Sequence, residues 1–462
     1  MQLCGKTRRW EETFMQVTDS PPDAGRPEPV VTAKTWGFVL FLMLLNVFNI
    51  LDRQLLPTFA PDIIRDLGIS KGQFGLLTGI MFVLLYGLLS PFMGLIADNT
   101  HRPRFVALGV GIWSLLTAAS GAARNFVSMA FPRVFIGVGE STLSPTALSM
   151  IADRFPSRRL GIASGLYYAG VPLGSGLAYF VASILAPKVG GWRNCFYILG
   201  AIGLVLALIM AFQKETRARK TDTGGIARAI GNILALIPDV ILAMRRSPAL
   251  LMTMLGGVGI HLAVGGAQFD TLWWKEDLGL DTGPLFLKVA LMYATVGVAG
   301  NVLGGYLGDL WLRKTGLGRP MFVAVLLIVT TPFGLLYRLT DHAGWMFWIG
   351  VGSGIFQLGA MYGSAFSTIQ ELVPERMRAT AIAIFIMMLN VVGLGLSVTI
   401  GGFMIDAFTK AAHARPITDM MLVMTAASAI AIPAFLIAAF RFSKDRDALN
   451  AFEAEAANAG TH

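Results

Sequence analysis

Twelve stretches of mainly apolar residues, each about 20 residues or longer, run through this chain and leave few alternatives for its fold. They lie near residues 36–59, 73–97, 103–122, 126–152, 160–185, 193–212, 249–271, 285–309, 320–339, 344–371, 379–405 and 419–440. Hydrocarbon offers no partner to a backbone N–H or C=O, so runs of this length are read as membrane-spanning helices. The expected class is an all-α membrane protein with twelve spans. Composition agrees: 55% of the 462 residues are hydrophobic and only 14% are charged, too few to cover a soluble surface of this size. The 52 glycines and 22 methionines suit helices packed closely in lipid.

The longest polar break, residues 213–248, divides the spans six and six. This predicts a tail at 1–35, a bundle at 36–212, a linker at 213–248, a second bundle at 249–441 and a tail at 442–462. The first tail carries Lys6, Arg8, Arg9, Glu11, Glu12, Asp19 and Asp23 with no apolar core before Trp36, which reads as a cytosolic segment rather than a signal peptide. Of the 37 Lys and Arg, 25 fall on the side of the termini, 10 fall in the opposite loops, and Arg53 and Arg133 fall inside spans. That bias predicts a multi-pass protein of the cell (inner) membrane with both termini cytoplasmic. Within the linker, Ile226, Ile230, Ile233, Leu234, Ile237, Ile241 and Leu242 recur at helical spacing, as in an amphipathic helix on the membrane surface.

Several function classes drop out. Two cysteines, Cys4 and Cys195, and five scattered histidines supply no metal site, and no cofactor motif is present. No Gly-x4-Gly-Lys-Ser/Thr run exists for direct ATP drive. The formal charge of +9 is accounted for by the loop bias, so nucleic acid is not an expected partner. An enzyme would need a nucleophile–base pair or metal ligands at membrane depth, and none is found. The expected partners are membrane lipids, protons and a small-molecule or lipid substrate, with the chain acting as a monomer.

The two sets of six spans share motifs. Gly94-x3-Asp98-x3-Arg102 follows the second span, and Gly305-x3-Asp309-x3-Arg313 follows the eighth. Asp153-Arg-Phe-Pro156-Ser-Arg158 follows the fourth span, and Glu371-Leu-Val-Pro374-Glu-Arg376 follows the tenth. This predicts a duplicated six-helix unit. In it, Gly94 lets a neighbouring helix approach, Asp98 faces the positive end of span eleven near Arg378 to Thr380, and Arg102 pairs with Asp153. Asp309, Arg313 and Glu371 repeat the arrangement, giving a conformational latch at each half.

With these motifs the chain resembles the major facilitator superfamily over nearly all its spans. Gly94-x3-Asp98-x3-Arg102 is similar to that superfamily's signature, although Asn99 and His101 replace an expected Arg and Gly. Arg133-x3-Gly137-x-Gly139 resembles its helix-four motif. The narrower resemblance is to spinster-like transporters, through Asp52-Arg53 in span one and Gly137-Val-Gly139-Glu140 in span four. It implies two pseudo-symmetric six-helix bundles, alternating access, and an amphipathic anionic lipid such as a lysophospholipid or a sphingoid phosphate. The helix-five antiporter motif is partial: Gly161, Gly170 and Gly174 keep its spacing, with Ser175 where Pro is expected.

A charge at the bilayer centre is costly, so the charges inside spans mark a site. Asn46, Asn49 and Arg53 share one face of span one, and Arg133 and Glu140 share one face of span four. The expected core is an Arg53–Glu140 pair with Asp52 and Arg133 beside it. Burial and a neighbouring guanidinium pull on a carboxylate's proton in opposite directions, which suits Glu140 to proton coupling, with Asp52 as the second carboxylate. Arg53, Asn46, Asn49, Arg133, Gln357 and Tyr362 are the expected substrate contacts. Counting about 1.5 Å per residue from the expected helix ends separates Arg53 and Glu140 by over ~10 Å in depth; the resemblance favours the pair. The competing readings are a static staple between helices, an exporter of drugs or organic anions, and a ligand sensor without transport. His261, Gln268 and Asp270 on span seven and Asn390 on span eleven are weaker candidates. Phe269, Trp273 and Trp274 read as interfacial aromatics.

Overall fold

The computed structural model describes residues 31–216, 226–342 and 344–459, so Lys6 to Arg26 and the centre of the linker lie outside the described residues. Every regular element among the described residues is helical. Eleven helical stretches are long and apolar enough to cross a membrane: Ala33–Thr58, Lys71–Asn99, Arg102–Gly121, Phe126–Ala152, Arg158–Val189, Trp192–Ala211, Pro248–Glu276, Thr282–Thr315, Arg319–Leu339, Arg378–Lys410 and Pro416–Ala454. The helix Trp345–Glu371 has 27 residues, but Ser353, Gln357, Tyr362, Ser364 and Thr368 lower its hydropathy. Counted with it in chain order, these are spans 1 to 12.

The ends follow from local chemistry. Thr32 and Thr35 form a reciprocal capping box that starts span 1, and Asn125 and Ser128 do the same for span 4. Spans 3 and 9 each open on an Arg-Pro pair, with proline at the first turn, where its missing N–H is not needed. The last helix does not stop at the expected end of span 12 but runs to Ala459, so the second tail begins as helix.

Packing divides the molecule. One buried cluster, from Val39 to Met210, is built from spans 1–6. Another, from Val240 to Phe442, is built from spans 7–12 and the linker helix. A third joins both halves on the face opposite the termini, the distal face. There spans 2 and 11 meet backbone to backbone: a Cβ on Gly75 would lie 2.7 Å from the Val398 carbonyl oxygen, and one on Gly402 would lie 2.3 Å from that of Lys71. No side chain larger than hydrogen fits at those contacts. Asp406 of span 11 accepts from the backbone N–H of Lys71 and Gly72 at 3.1 and 2.8 Å. Thr271 donates to the Pro57 carbonyl at 2.5 Å, Ser183 to that of Gly283 at 2.8 Å, and Lys71 pairs with Glu276 at 3.1 Å.

Two expectations change here. Phe269, Trp273 and Trp274 are not interfacial: each is buried, and Trp273 donates its indole N–H to Thr418 at 2.8 Å. Span 7 breaks at Gln268–Phe269 and its tip turns into the bundle. The linker helix, Ile226–Arg246, packs on spans 2, 7 and 11, bridging the halves. The residues it turns inward are Leu236, Val240, Ala243 and Met244, while Leu234 and Ile241 of the expected apolar face are exposed.

Candidate functional site

Arg53 and Glu140 are in contact, with Nε donating to Oε2 at 2.6 Å. The depth discrepancy closes because helical winding resumes after Phe59 and continues over Ala60–Leu67. Arg53 therefore lies as many residues inside Leu67 as Glu140 lies inside Phe126, where span 4 begins. Span 4 tightens directly after Glu140, where the Thr142 N–H bonds the Gly139 carbonyl three residues back, before regular helix resumes at Leu143. Gly137 permits the approach of span 2, since a Cβ there would sit 2.9 Å from the Phe82 carbonyl oxygen.

Four charges gather here. Asp52 accepts from the Thr117 hydroxyl at 2.5 Å through Oδ1, and its Oδ2 has no partner within the protein. Arg133, 1% exposed, stacks 4.9 Å from the Phe82 ring centroid, with Nε and Nη1 unpartnered. Glu140 Oε1 is unpartnered too. Arg53 lies over Tyr86 at 4.0 Å and Phe82 at 5.3 Å. Its side chain is 18% exposed, against 0% for Glu140, so Arg53 is the member of the pair with accessible surface. With all four ionised the group is neutral. Protonating one carboxylate leaves a net positive charge inside the bundle, which attracts an anion.

The other expected contacts divide. Asn46 is used between helices, donating to the Tyr167 carbonyl at 3.1 Å, and Asn49 is buried with an unpartnered Nδ2. Tyr362, in the other half, hydrogen-bonds His261 Nε2 at 3.0 Å. Gln357 is elsewhere: it accepts from Thr330 at 2.5 Å and lines a distal cavity of about 160 Å³. Of the span-five glycines, a Cβ on Gly170 or Gly174 would meet the backbone of span 1, at 2.9 and 2.6 Å from Met43 and Val47 oxygens, whereas Gly161 faces open space.

The repeated motifs need correction. Arg102 does bond Asp153, at 2.5 Å, and also Ser149 and Glu215, a linker residue the sequence reading missed. Its counterpart is not Arg313, which is exposed, but Arg319, which pairs with Asp309 at 2.7 Å and with Glu371. Span 2 ends one residue past Asp98, whereas span 8 continues to Thr315, so the Gly-x3-Asp-x3-Arg frame falls on a helix surface in the second copy. The shared feature is the Arg-Pro that opens the next span. Each cluster ties ends within one half. The helices carrying Asp98 and Arg378–Thr380 pack together across the halves. Gly94 is not a close-approach glycine, because a Cβ would lie an ordinary 3.5 Å from Pro145. Arg319→Ala should lower stability by about 1–3 kcal/mol, the range for charged hydrogen bonds. Arg313→Ala should stay within about 0.5 kcal/mol. Thermal unfolding of the two purified variants in detergent measures the difference, and equal losses would remove Arg319 from the cluster.

Sequence reasoning also missed Arg338, counted as a loop residue. It closes span 9 in a short 3-10 turn, is 5% exposed, and stands 3.7 Å from Asp270. The signal available was Asp270, an acid in a span without a basic residue assigned to it.

The comparisons agree with this architecture. A family model described as Major Facilitator Superfamily matches residues 42–398. An MFS-type efflux pump of Mycolicibacterium smegmatis is 24% identical over 420 residues, 89% of this chain and 94% of that protein. Protein spinster of Drosophila melanogaster is 25% identical over 418 residues, 86% of this chain and 66% of that protein. A bacterial homologue of the human lysosomal transporter Spinster, solved inward-facing and unoccupied, is similar with a TM-score of 0.75 at 23% identity, covering 90% of this chain and 99% of that one. With twelve spans in two packed halves among the described residues and a match over most of its length, this multi-pass chain, a transporter rather than an enzyme and similar to the spinster proteins, belongs to the Major Facilitator Superfamily.

Proposed function

We propose that the chain moves an amphipathic, anionic, lipid-like substrate by alternating access, coupled to protons through Glu140 and Arg53. The observation that carries this reading is the 2.6 Å Arg53–Glu140 contact, in which Arg53 keeps some accessible surface and Glu140 none. Protonation of Glu140 ends its claim on Arg53, which then holds the substrate's acidic group. Asp52 and Arg133 set the field around the pair. Tyr362 and the aromatic rings of Phe82 and Tyr86 offer an amphipathic wall next to the charge. Asp98 and the Arg102 and Arg319 clusters hold the helix ends on the face of the termini, which the basic-residue bias assigns to the cytoplasm. The working unit is a monomer in the cell (inner) membrane.

The name of the mycobacterial relative supports a second reading, export of drugs or organic anions through the same charge pair. Uptake into proteoliposomes separates the two. With an imposed proton gradient, a single-chain phospholipid should be transported and glucuronate, an anion without an apolar tail, should not. Transport of glucuronate and not of the lipid would reject the lipid-like substrate while leaving the coupling to be read from the same gradient.

A further inference from the structure

We propose that the distal cavity around Asp270 and Arg338 is a second ligand site, built for a compact zwitterion. Its acidic group would bind Arg338, and its ammonium would sit between Asp270 and the surrounding aromatic rings. The inference goes beyond the Arg53–Glu140 reading and does not depend on it.

The cavity, about 160 Å³, lies mainly among spans 7 to 10, with Gln54 and Tyr179 closing it from the other half. Arg338 is almost wholly desolvated, yet its Nε has no partner, its Nη1 contacts only the weak acceptor Met421 Sδ, and the carboxylate stands beyond hydrogen-bond distance at 3.7 Å. Asp270 Oδ1 accepts no hydrogen bond, and the indole N–H of Trp274, on the same wall, donates none. All three residues line the cavity, and among them two donors and one acceptor lack a hydrogen bond. A pair serving only to staple spans 7 and 9 would gain most from a short, bidentate contact, which this is not. Leaving such groups unpaired in a desolvated place is costly, and a ligand carrying both charges removes that cost.

Charge and shape narrow the ligand. The pair is neutral, so a lone anion or a lone cation leaves one uncompensated charge, while a zwitterion leaves none. Tyr179 stacks on Tyr293 at 5.8 Å and stands 6.1 Å from Trp274, and all three line the cavity with Tyr337. Such faces attract an ammonium by cation–π interaction. The volume is below that of sites for drug-sized molecules, so the bound group is small. Span 7 breaks at Gln268–Phe269, immediately before Asp270.

Calorimetric titration of the purified full chain in maltoside detergent tests the proposal, with glycine betaine and glycerophosphocholine as probes. Both should bind, and choline or acetate alone should bind at least ~10-fold more weakly. Arg338→Gln and Asp270→Asn should each weaken both zwitterions by ~10-fold or more. If those variants do not fold, Ser353→Leu, which fills the cavity and keeps the charges, should block binding. Dodecylphosphocholine as competitor separates the sources: a gain over glycerophosphocholine assigns the site to a lipid headgroup, and parity assigns it to a free zwitterion. No binding of either zwitterion to the wild type, acetate binding as tightly as betaine, or binding unchanged in the folded variants would overturn the site.

Discussion

Replacing Glu140 with Gln should make anion binding independent of pH and abolish proton-driven uptake, while binding itself survives. The amide keeps the shape of the protonated acid but cannot give up a proton. In the wild type, acidification frees Arg53 from Glu140, so anion affinity should rise as pH falls, and bound anion should in turn favour the proton by the same factor. Glu140→Gln should hold the high-affinity value at every pH, because Arg53 never meets a carboxylate there. Ligand titration in detergent, from mildly acid to mildly alkaline pH, gives the first readout, and uptake by proteoliposomes with and without a proton gradient gives the second. Undiminished proton-driven uptake by this variant would take Glu140 out of the mechanism and make Asp52, with its unpartnered Oδ2, the carboxylate to test next.

Arg53→Ala should cost anionic ligands about 2–5 kcal/mol of affinity, the range for removing one partner of a desolvated charge pair. Neutral amphipathic ligands should lose far less. The same change leaves Glu140 buried without its bonded cation, so part of any effect is lost stability. The double variant Arg53→Ala with Glu140→Gln separates the two: it should recover stability and not anion affinity. Equal loss of neutral and anionic ligands would mean that Arg53 is a staple and not a ligand contact.

The Arg53–Glu140 pair was readable in the sequence because charges within spans are rare, and a rare group has few possible partners. Its depth was not readable, since the expected span 1 ends near residue 59 and composition does not show winding resume at Ala60. The repeat was found, but its second copy was framed on Arg313. A spacing rule matched there by chance, and only the longer span 8 shows that the guanidinium comes from Arg319. Trp273 and Trp274 were misplaced for a related reason. Indoles near a span end suit an interface, and whether the tip turns outward or inward depends on a break that composition does not mark. Glu215 escaped notice because nothing in a polar linker distinguishes an acid that folds back onto Arg102 from one that faces water.

The glycine contacts between spans 2 and 11 have an electrical consequence. Backbones that close leave no width for a file of water between these two spans. A membrane voltage falls chiefly across whatever stays dry, at about 2.3 kcal/mol per elementary charge for each 100 mV. A side chain as small as valine at Gly402 cannot fit where a Cβ already lies 2.3 Å from the Lys71 oxygen, and it would hold that contact ajar. Such a chain should pass protons down their gradient without cargo, acting as a conductance where the parent is an insulator.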